Sequence, residues 1–580
     1  MKPCHFTEAD IHGRTLWVIL SIILAVGVFT RFLYLDQIYL FIDETPYIEN
    51  WWRDYGSSFR GFLKGVWKLS LENYGSAASG HNGLWTAVVY TLCKTVGTPT
   101  LWWGRFPAAL SSILFLPVVF VLTRLISGSN LAGLFVAAAA TVSITQIYHA
   151  QQILDYGPTV LASSLILWST IAGYERLRLP SARAHFIPNG FFFFLAVTAG
   201  AVFHNATLPV IFACFTYLLG SMLWLWYRSQ IKRSDAIFNL ATLFQTGLMI
   251  LGCLIVFVLP KFGFGYREYL APYYAPKCQG TGGVLSTAIA MVSFGLKRAY
   301  DLATYALNPV YNDRWYQPLG LNPLLILPIM VMFMGAVHLW RKGGKERGLV
   351  VLALGTLSLV FLGAVFGKYP LGGVRPCLPL TVFVYVFVGV GMWVIYQKWK
   401  VVAIGLMVLW IAVCLWALPQ FYTKRLSPFN TELLVHYARL SGTRLIVTVN
   451  DWGCPEDVIF KYYLRDHSKI EVVPLWNILE GLRREERPFL LASTTTNLHR
   501  YKAMYQSGAH PRNKEGKAFV ELLSEKKLKI SPLVEVGLNP VNPDKWQYEF
   551  LSIYTPLNGL FLYKVDWEGT DQNGKNKAKT

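Results

Sequence analysis

TLWVILSIILAVGVFTRFLYL, residues 15–35, is an apolar run that ends at Asp36 and leads within a few residues to Phe41-Ile42-Asp43-Glu44-Thr45-Pro46-Tyr47. A helix rises about 1.5 Å per residue, so roughly 20 residues cross a hydrocarbon core of about 30 Å. The run therefore reads as a membrane span, and the paired acids as the first polar feature beyond it. Lys2 and Arg14 precede it. Basic flanks stay in the cytoplasm, so Asp43 and Glu44 are expected on the opposite face. The run is too long for a removable signal, and no small-residue cleavage site follows it. It is expected to stay as a signal anchor.

The rest of the chain repeats this pattern. Of 580 residues, 54% are hydrophobic and only 15% charged, with a mean hydropathy of +0.38. A soluble chain carries about 25% charged residues. Aromatic residues reach 15%, which suits belts at the membrane interfaces. The net charge of +20 would point to nucleic acid in a soluble protein. Here basic cytoplasmic loops account for much of it, and anionic lipid or phosphate groups suit the rest. No nucleic-acid module is present, and no such partner is expected.

Loop charge sets the topology. Arg176, Arg178 and Arg183, then Arg228, Lys232 and Arg233, then Arg341, Lys342, Lys345 and Arg347, and finally Lys398 and Lys400 mark cytoplasmic loops. Spans are expected at 15–35, 105–123, 131–149, 158–175, 187–203, 206–227, 237–259, 322–340, 348–366, 378–396 and 401–419, about eleven in all. This order puts Asp155, His204, Asn205 and the turn from Lys368 to Arg375 on the outer face with Asp43. Leu84 to Gly97 must then begin and end outside. It reads as a juxtamembrane or re-entrant helix, which is allowed where protein or a water-filled cavity covers the backbone. A short ordinary span is the alternative, and it would flip part of the topology.

The expected fold is mainly α, a polytopic membrane helical bundle with a small extracytoplasmic α/β C-terminal domain. Residues 1–419 form the membrane domain, with long external loops at 36–104 and 260–320. The second loop carries an apolar helix near Val284 to Leu296. In 420–565, short apolar runs at Leu445 to Val449, Pro488 to Ala492, Leu533 to Val536, Phe550 to Tyr554 and Leu560 to Val565 alternate with amphipathic stretches from Trp476 to Glu486 and Lys517 to Lys527. That alternation reads as a soluble α/β domain. Residues 566–580 are polar and expected to be a disordered tail. The eight cysteines show no CxxC and no metal-ligand spacing. Cys93, Cys214, Cys253 and Cys414 sit in apolar stretches as packing residues. Cys278 and Cys377 fall in two external loops, where a disulfide depends on a separation that sequence does not give.

Several groups could carry chemistry. Asp43 and Glu44 suit a helix N-terminus, where carboxylates complement the dipole. They equally suit a general base that takes the proton of an attacking hydroxyl. Asp155, in Leu154-Asp155-Tyr156-Gly157-Pro158, suits an N-cap with Pro158 in the first turn. Capping is compatible with catalysis, because a cap carboxylate is well fixed. His81, in His81-Asn82-Gly83-Leu84, is a lone loop histidine. Gly367-Lys368-Tyr369-Pro370-Leu371-Gly372-Gly373-Val374-Arg375-Pro376 joins two spans. Its two cations and free backbone N–H groups suit a phosphate; snorkelling cations on a plain turn are the alternative. Positive charge on the outer face runs against the usual distribution, which favours the phosphate. Tyr266 and Arg267, with Glu268, Tyr269, Tyr273, Tyr274, Lys297, Arg298 and Tyr300, suit either a sugar or lipid-phosphate cavity or an interfacial belt. No Gly-rich nucleotide motif, zinc motif or nucleophile elbow appears. No cytoplasmic loop is long enough for an ATPase or nucleotide-sugar domain, so the donor is expected to be lipid-linked and already outside.

In this order the motifs resemble the C-type membrane glycosyltransferase superfamily, in the branch of protein O-mannosyltransferases and lipid A aminoarabinose transferases. Asp43-Glu44 looks like its paired acids in the first external loop. His81-Asn82-Gly83-Leu84 looks like a degenerate His/Lys-Pro-Pro-Leu motif, departing at Asn82-Gly83. Arg105-Phe106-Pro107-Ala108-Ala109-Leu110 is similar to the start of its next span, and Leu154-Asp155 to the Leu-Asp of its second external loop. Tyr369 to Arg375 resembles its late loop near the donor. The likeness covers about residues 15–400. It implies inverting transfer of a monosaccharide, a hexose or pentose, from a polyprenyl-phosphate donor to an acceptor hydroxyl of a glycolipid, cell-envelope glycan or protein. Asp43 is then the base, Glu44 and Asp155 orient the substrates, and Lys368 and Arg375 stabilise the leaving phosphate. His81, Tyr266, Arg267 and Tyr369 are expected to line the substrate site. Some relatives use a divalent cation such as Mg or Mn and others do not; Asp43, Glu44 and Asp155 are the residues that could bind one. The expected location is a bacterial inner membrane with the site facing the periplasm.

A transporter or lipid flippase is the competing class. It would need ionisable groups within spans or broken helices at the midplane. The acids singled out here lie at span ends and in loops. An oligosaccharyltransferase-like enzyme is the other alternative.

Overall fold

The structure, a computed structural model, describes residues 13–38, 44, 47–48, 58–71, 83–97, 100–177, 193, 195–200, 203–228, 244, 247–248, 273–275, 284–308, 325–425, 431–440, 443–448, 456–467, 469–485, 488–493, 517–518, 520–522, 528–537 and 559–567. The chain divides into two compact units, 1–36 with 54–421, and 37–53 with 422–580.

The described elements of the first unit are all helical. Its elements are α1 (Gly13–Phe32), α2 (Phe59–Leu71), α3 (Gly83–Val96), α4 (Leu101–Ser127), α5 (Asn130–Val142), α6 (Ile144–Ala150), α7 (Tyr156–Leu177), α8 (Leu208–Tyr227), α9 (Val284–Leu307), α10 (Ile326–Lys342), α11 (Gly344–Val365), α12 (Thr381–Lys398) and α13 (Lys400–Arg425). Short 3-10 turns at Asn205–Thr207 and Arg375–Leu380 lead into α8 and α12. Six helices among the described residues are long and apolar enough to cross a membrane, or seven if α5 and α6 form one bent span. The protein is an integral membrane protein. Two of the eleven expected spans, 187–203 and 237–259, lie largely outside the described residues.

The expected span at 131–149 is broken in two. α5 and α6 meet at 61°. Ser143 sits at the break, and its hydroxyl accepts from the Gln146 backbone N–H at 3.4 Å, capping α6. The last carbonyls of α5 have no intrahelical partner. Arg31 supplies one: its guanidinium donates to the carbonyls of Ala140 and Thr141, both at 3.1 Å.

α12 is apolar on every side, and nearly all of its residues are buried. A helix of that kind belongs inside a bundle. α1, α10 and α13 instead expose Trp17, Phe29, Phe333, Val408 and Trp416, as lipid-facing helices do. Glycines let α12 approach its neighbours, the usual device between membrane helices. A Cβ on Gly391 would collide with the carbonyl oxygen of Val331 on α10, and one on Gly389 would lie 2.9 Å from that of Ala132 on α5. The expected external segment at 84–97 is α3, an apolar helix shorter than a span. α3 pairs with α2 through Leu69, Ala87 and Tyr90. α9 runs well past the expected Leu296.

The second unit holds α14 (Thr431–Leu440), β1 (Leu445–Thr448), α15 (Glu456–Tyr463), β2 (Glu471–Pro474), α16 (Leu475–Glu485), β3 (Phe489–Ser493), β4 (Leu528–Gly537) and β5 (Gly559–Trp567). The strands make one sheet in the order β2-β1-β3-β5-β4. The first three are parallel, and β5 runs antiparallel to β3 and β4. Side chains alternate across the sheet. Leu445, Val447, Phe489 and Leu491 pack on Leu475, Leu479 and Leu482 of α16, while Ile446, Leu490 and Leu562 pack on Leu434 of α14 and Phe460 of α15. The expected run at Phe550 to Tyr554 lies outside the described residues. Residues 37–53 group with this unit, although in the sequence they belong to the first external loop.

Candidate functional site

At one end of the membrane unit, several turns are held against one another by buried polar groups. The first is the end of α1. Arg31 is fully buried and donates through Nε to the Ser112 hydroxyl at 2.9 Å. The Gln151 amide donates to the carbonyls of Thr30, Arg31 and Leu33 at 3.2, 3.3 and 3.0 Å. Arg105, also fully buried, donates to the Leu35 carbonyl at 2.8 Å. Three side chains from α4 and from the turn after α6 thus fix the chain where it leaves the membrane.

Residues 151–156 form the second turn. The Trp85 indole of α3 donates to the Ile153 carbonyl at 2.6 Å. Asp155 is fully buried, and its carbonyl accepts the first helical bond of α7 from Thr159 at 2.9 Å. It therefore stands at the Ncap position the sequence suggests. Next to it, the Tyr156 ring lies 5.0 Å from His149 and 5.2 Å from His204, with the Arg375 guanidinium 5.9 Å from its centroid. His149 Nε2 and the Tyr305 hydroxyl share a hydrogen at 2.6 Å. The Tyr369 hydroxyl reaches the Pro376 carbonyl at 2.5 Å and that of Ala206 at 3.1 Å. These contacts bring together residues 149–156, 204–206, 369–376 and the C-terminal part of α9.

α9 adds a buried ion pair. Arg298 and Asp301 are linked through Nη1 and Oδ2. The Arg298 guanidinium stacks 5.0 Å from the Tyr273 ring, and the Tyr273 carbonyl accepts from Leu371 N–H at 2.9 Å. Burial raises the Asp301 carboxyl above its ordinary range, with Arg298 and Lys297 opposing. Burial likewise raises the phenols of Tyr273 and Tyr305, opposed by Arg298 and Arg375 respectively.

Of the residues singled out in the sequence, Asp155, Tyr369 and Arg375 come together around Tyr156. Lys368 does not share that burial. Its side chain is exposed, while its backbone N–H donates to the Gly363 carbonyl at 2.8 Å. The expected pair of phosphate cations thus separates into one buried guanidinium and one exposed amine. Glu44 is fully buried and belongs to the second unit. Asp43, His81, Tyr266 and Arg267 lie outside the described residues. Cys377 is a buried free thiol in the 3-10 turn, not a loop cysteine, and donates to the Pro370 carbonyl at 3.1 Å. Its suggested partner Cys278 lies outside the described residues. No three His, Cys, Asp or Glu side chains gather among the described residues. Of the three carboxylates expected to bind a divalent cation, Asp43 lies outside the described residues.

Sequence reasoning passed over His149, Tyr156, Asp301 and Tyr305. The spacing of Arg298, Asp301 and Tyr305 was a usable signal, since residues three and seven apart share a helix face. Nothing in the sequence marked His149, whose role depends on contacts with distant segments.

No family model matches the chain, and no curated protein does. Among solved structures, ArnT from Cupriavidus metallidurans in the apo state matches at 12% identity and a TM-score of 0.45, covering 85% of this chain and 95% of that one. The Archaeoglobus fulgidus oligosaccharyltransferase in the apo form matches at 10% identity and a TM-score of 0.47, covering 87% and 72%.

Proposed function

We propose that this protein is a membrane glycosyltransferase that moves a monosaccharide from a polyprenyl-phosphate donor to an acceptor hydroxyl on the non-cytoplasmic face. The observation that carries the reading is the meeting of the 151–156 and 369–376 turns. It sets the buried Asp155 beside Tyr156, and Tyr156 beneath the buried Arg375. A carboxylate orients hydroxyl groups. A guanidinium stabilises the phosphate charge that grows as the glycosidic bond breaks. The order of sequence motifs supports the same reading and supplies the remaining roles. Asp43 takes the acceptor proton, Glu44 helps to orient the substrates, and Arg375 rather than the exposed Lys368 is the main cation on the leaving phosphate. A bacterial inner membrane with a periplasmic site suits these roles.

The test compares cell-envelope glycolipids, glycans and glycoproteins by mass spectrometry with and without the protein. Purified protein is then assayed with undecaprenyl-phosphate-linked sugars. Asp43→Asn is expected to reduce transfer by roughly 10²–10⁴-fold, the usual contribution of a general base, while the protein still folds. Full activity in that variant would end the base assignment, and an unchanged envelope would end the proposal.

A further inference from the structure

We propose that Arg298 and Asp301 form a subsite for a hydroxyl group of the donor sugar, an inference that rests on the function proposed above. The pair is 5% and 1% exposed, yet its pairing is incomplete. One contact joins Nη1 to Oδ2, while Arg298 Nε and Asp301 Oδ1 have no hydrogen-bond partner among the described residues. A purely structural Arg–Asp pair in a buried setting is expected to close as a two-bond fork, because each polar atom left unmatched there opposes folding. The two atoms left over are complementary: an N–H that donates and a carboxylate oxygen that accepts.

A hydroxyl group meets both needs, because it accepts from Nε–H through its lone pair and donates its own proton to Oδ1. A phosphate fits poorly, since its oxygens only accept and the carboxylate repels them. A metal ion is disfavoured by the guanidinium. The surroundings hold the pair in place. The Tyr273 ring stacks on the guanidinium. Gly372, with φ +137°, has a backbone that side chains rarely adopt, and a Cβ there would lie 3.0 Å from Tyr273 Cδ1 and 3.1 Å from Arg298 Cδ. A Cβ on Gly373 would lie 2.8 Å from the Asp301 carbonyl oxygen. Two successive glycines in the 369–376 turn therefore leave room for the pair. Tyr305, one turn beyond Asp301 on the same helix face, is bonded to His149. The subsite thus adjoins the cluster around Arg375 and Tyr156.

The test is thermal stabilisation and Kd for the purified full-length protein in nanodiscs. The probes are undecaprenyl phosphate and undecaprenyl-phosphate-linked glucose, galactose, mannose and xylose. Wild type is expected to bind at least one sugar-linked lipid more tightly than the bare lipid phosphate. Asp301→Asn and Arg298→Met should lose that increment, roughly 10- to 100-fold in Kd, and keep binding of the bare lipid phosphate. One single-deoxy analogue of the preferred sugar should bind wild type as weakly as the parent binds Asp301→Asn. If no sugar adds to the bare lipid phosphate, or if the variants weaken all lipids equally, the pair is structural and the inference is overturned. If wild type binds no lipid phosphate at all, the proposed function fails and the inference falls with it.

Discussion

Replacing Arg31 with methionine tests whether one buried cation holds the bend between α5 and α6. Methionine keeps the length and the apolar stem of the side chain. It removes the bonds to Ser112 at 2.9 Å and to the carbonyls of Ala140 and Thr141 at 3.1 Å. Each charge-assisted bond that a buried group loses costs about 1.5–3 kcal/mol. Against that, the variant no longer buries a guanidinium, whose effective desolvation is several kcal/mol. The two carbonyls are the open end of α5, where a cation also complements the helix dipole. The net expectation is a loss of about 3 kcal/mol. Equilibrium unfolding of the purified protein in mixed micelles measures it. Arg31→Lys should recover only part, because one ammonium cannot match the planar fork that reaches Ser112, Ala140 and Thr141 together. A loss below about 0.5 kcal/mol in Arg31→Met, or full recovery in Arg31→Lys, would refute the reasoning.

Two further outcomes are expected. Gly391→Leu should prevent close packing of α10 and α12, costing about 1–3 kcal/mol or more, because any Cβ there meets the Val331 carbonyl. Gly405→Ala on α13, with nothing within 4 Å, should be neutral, and equal melting curves for the two variants would contradict the packing argument. In a cysteine-free background, Lys368→Cys is expected to react with a membrane-impermeant maleimide from the non-cytoplasmic side and Lys342→Cys only after permeabilisation; the reverse pattern would invert the topology.

Much of the fold was legible because it follows from local properties. Apolar length marks α1, α4, α8 and α11 to α13. A short apolar run marks β1, and the amphipathic pattern marks α16. The site was legible only in part. Asp155 and the turn from Lys368 to Arg375 stood out because charge next to an apolar span is unusual. Lys368 and Arg375 looked alike in sequence. They differ because the 3-10 turn folds Arg375 inward over Tyr156 and leaves Lys368 at the surface. The bend at Ser143 was invisible, since the Arg31 guanidinium that satisfies the open end of α5 comes from a distant helix.

By itself, the sequence determined that this chain enters a membrane many times, that a small α/β unit follows, and where acids and cations flank the spans. Each of these depends on transfer free energies and periodicities that neighbouring residues set among themselves. Only the tertiary structure decided which of those charges are buried together and how the chain leaves α1. Arg31, Arg105 and Gln151 fix the end of the run that opens the chain, and their partners are residues far away in sequence. A hydrogen bond inside a bundle depends on where distant carbonyls come to rest, and no local pattern records that.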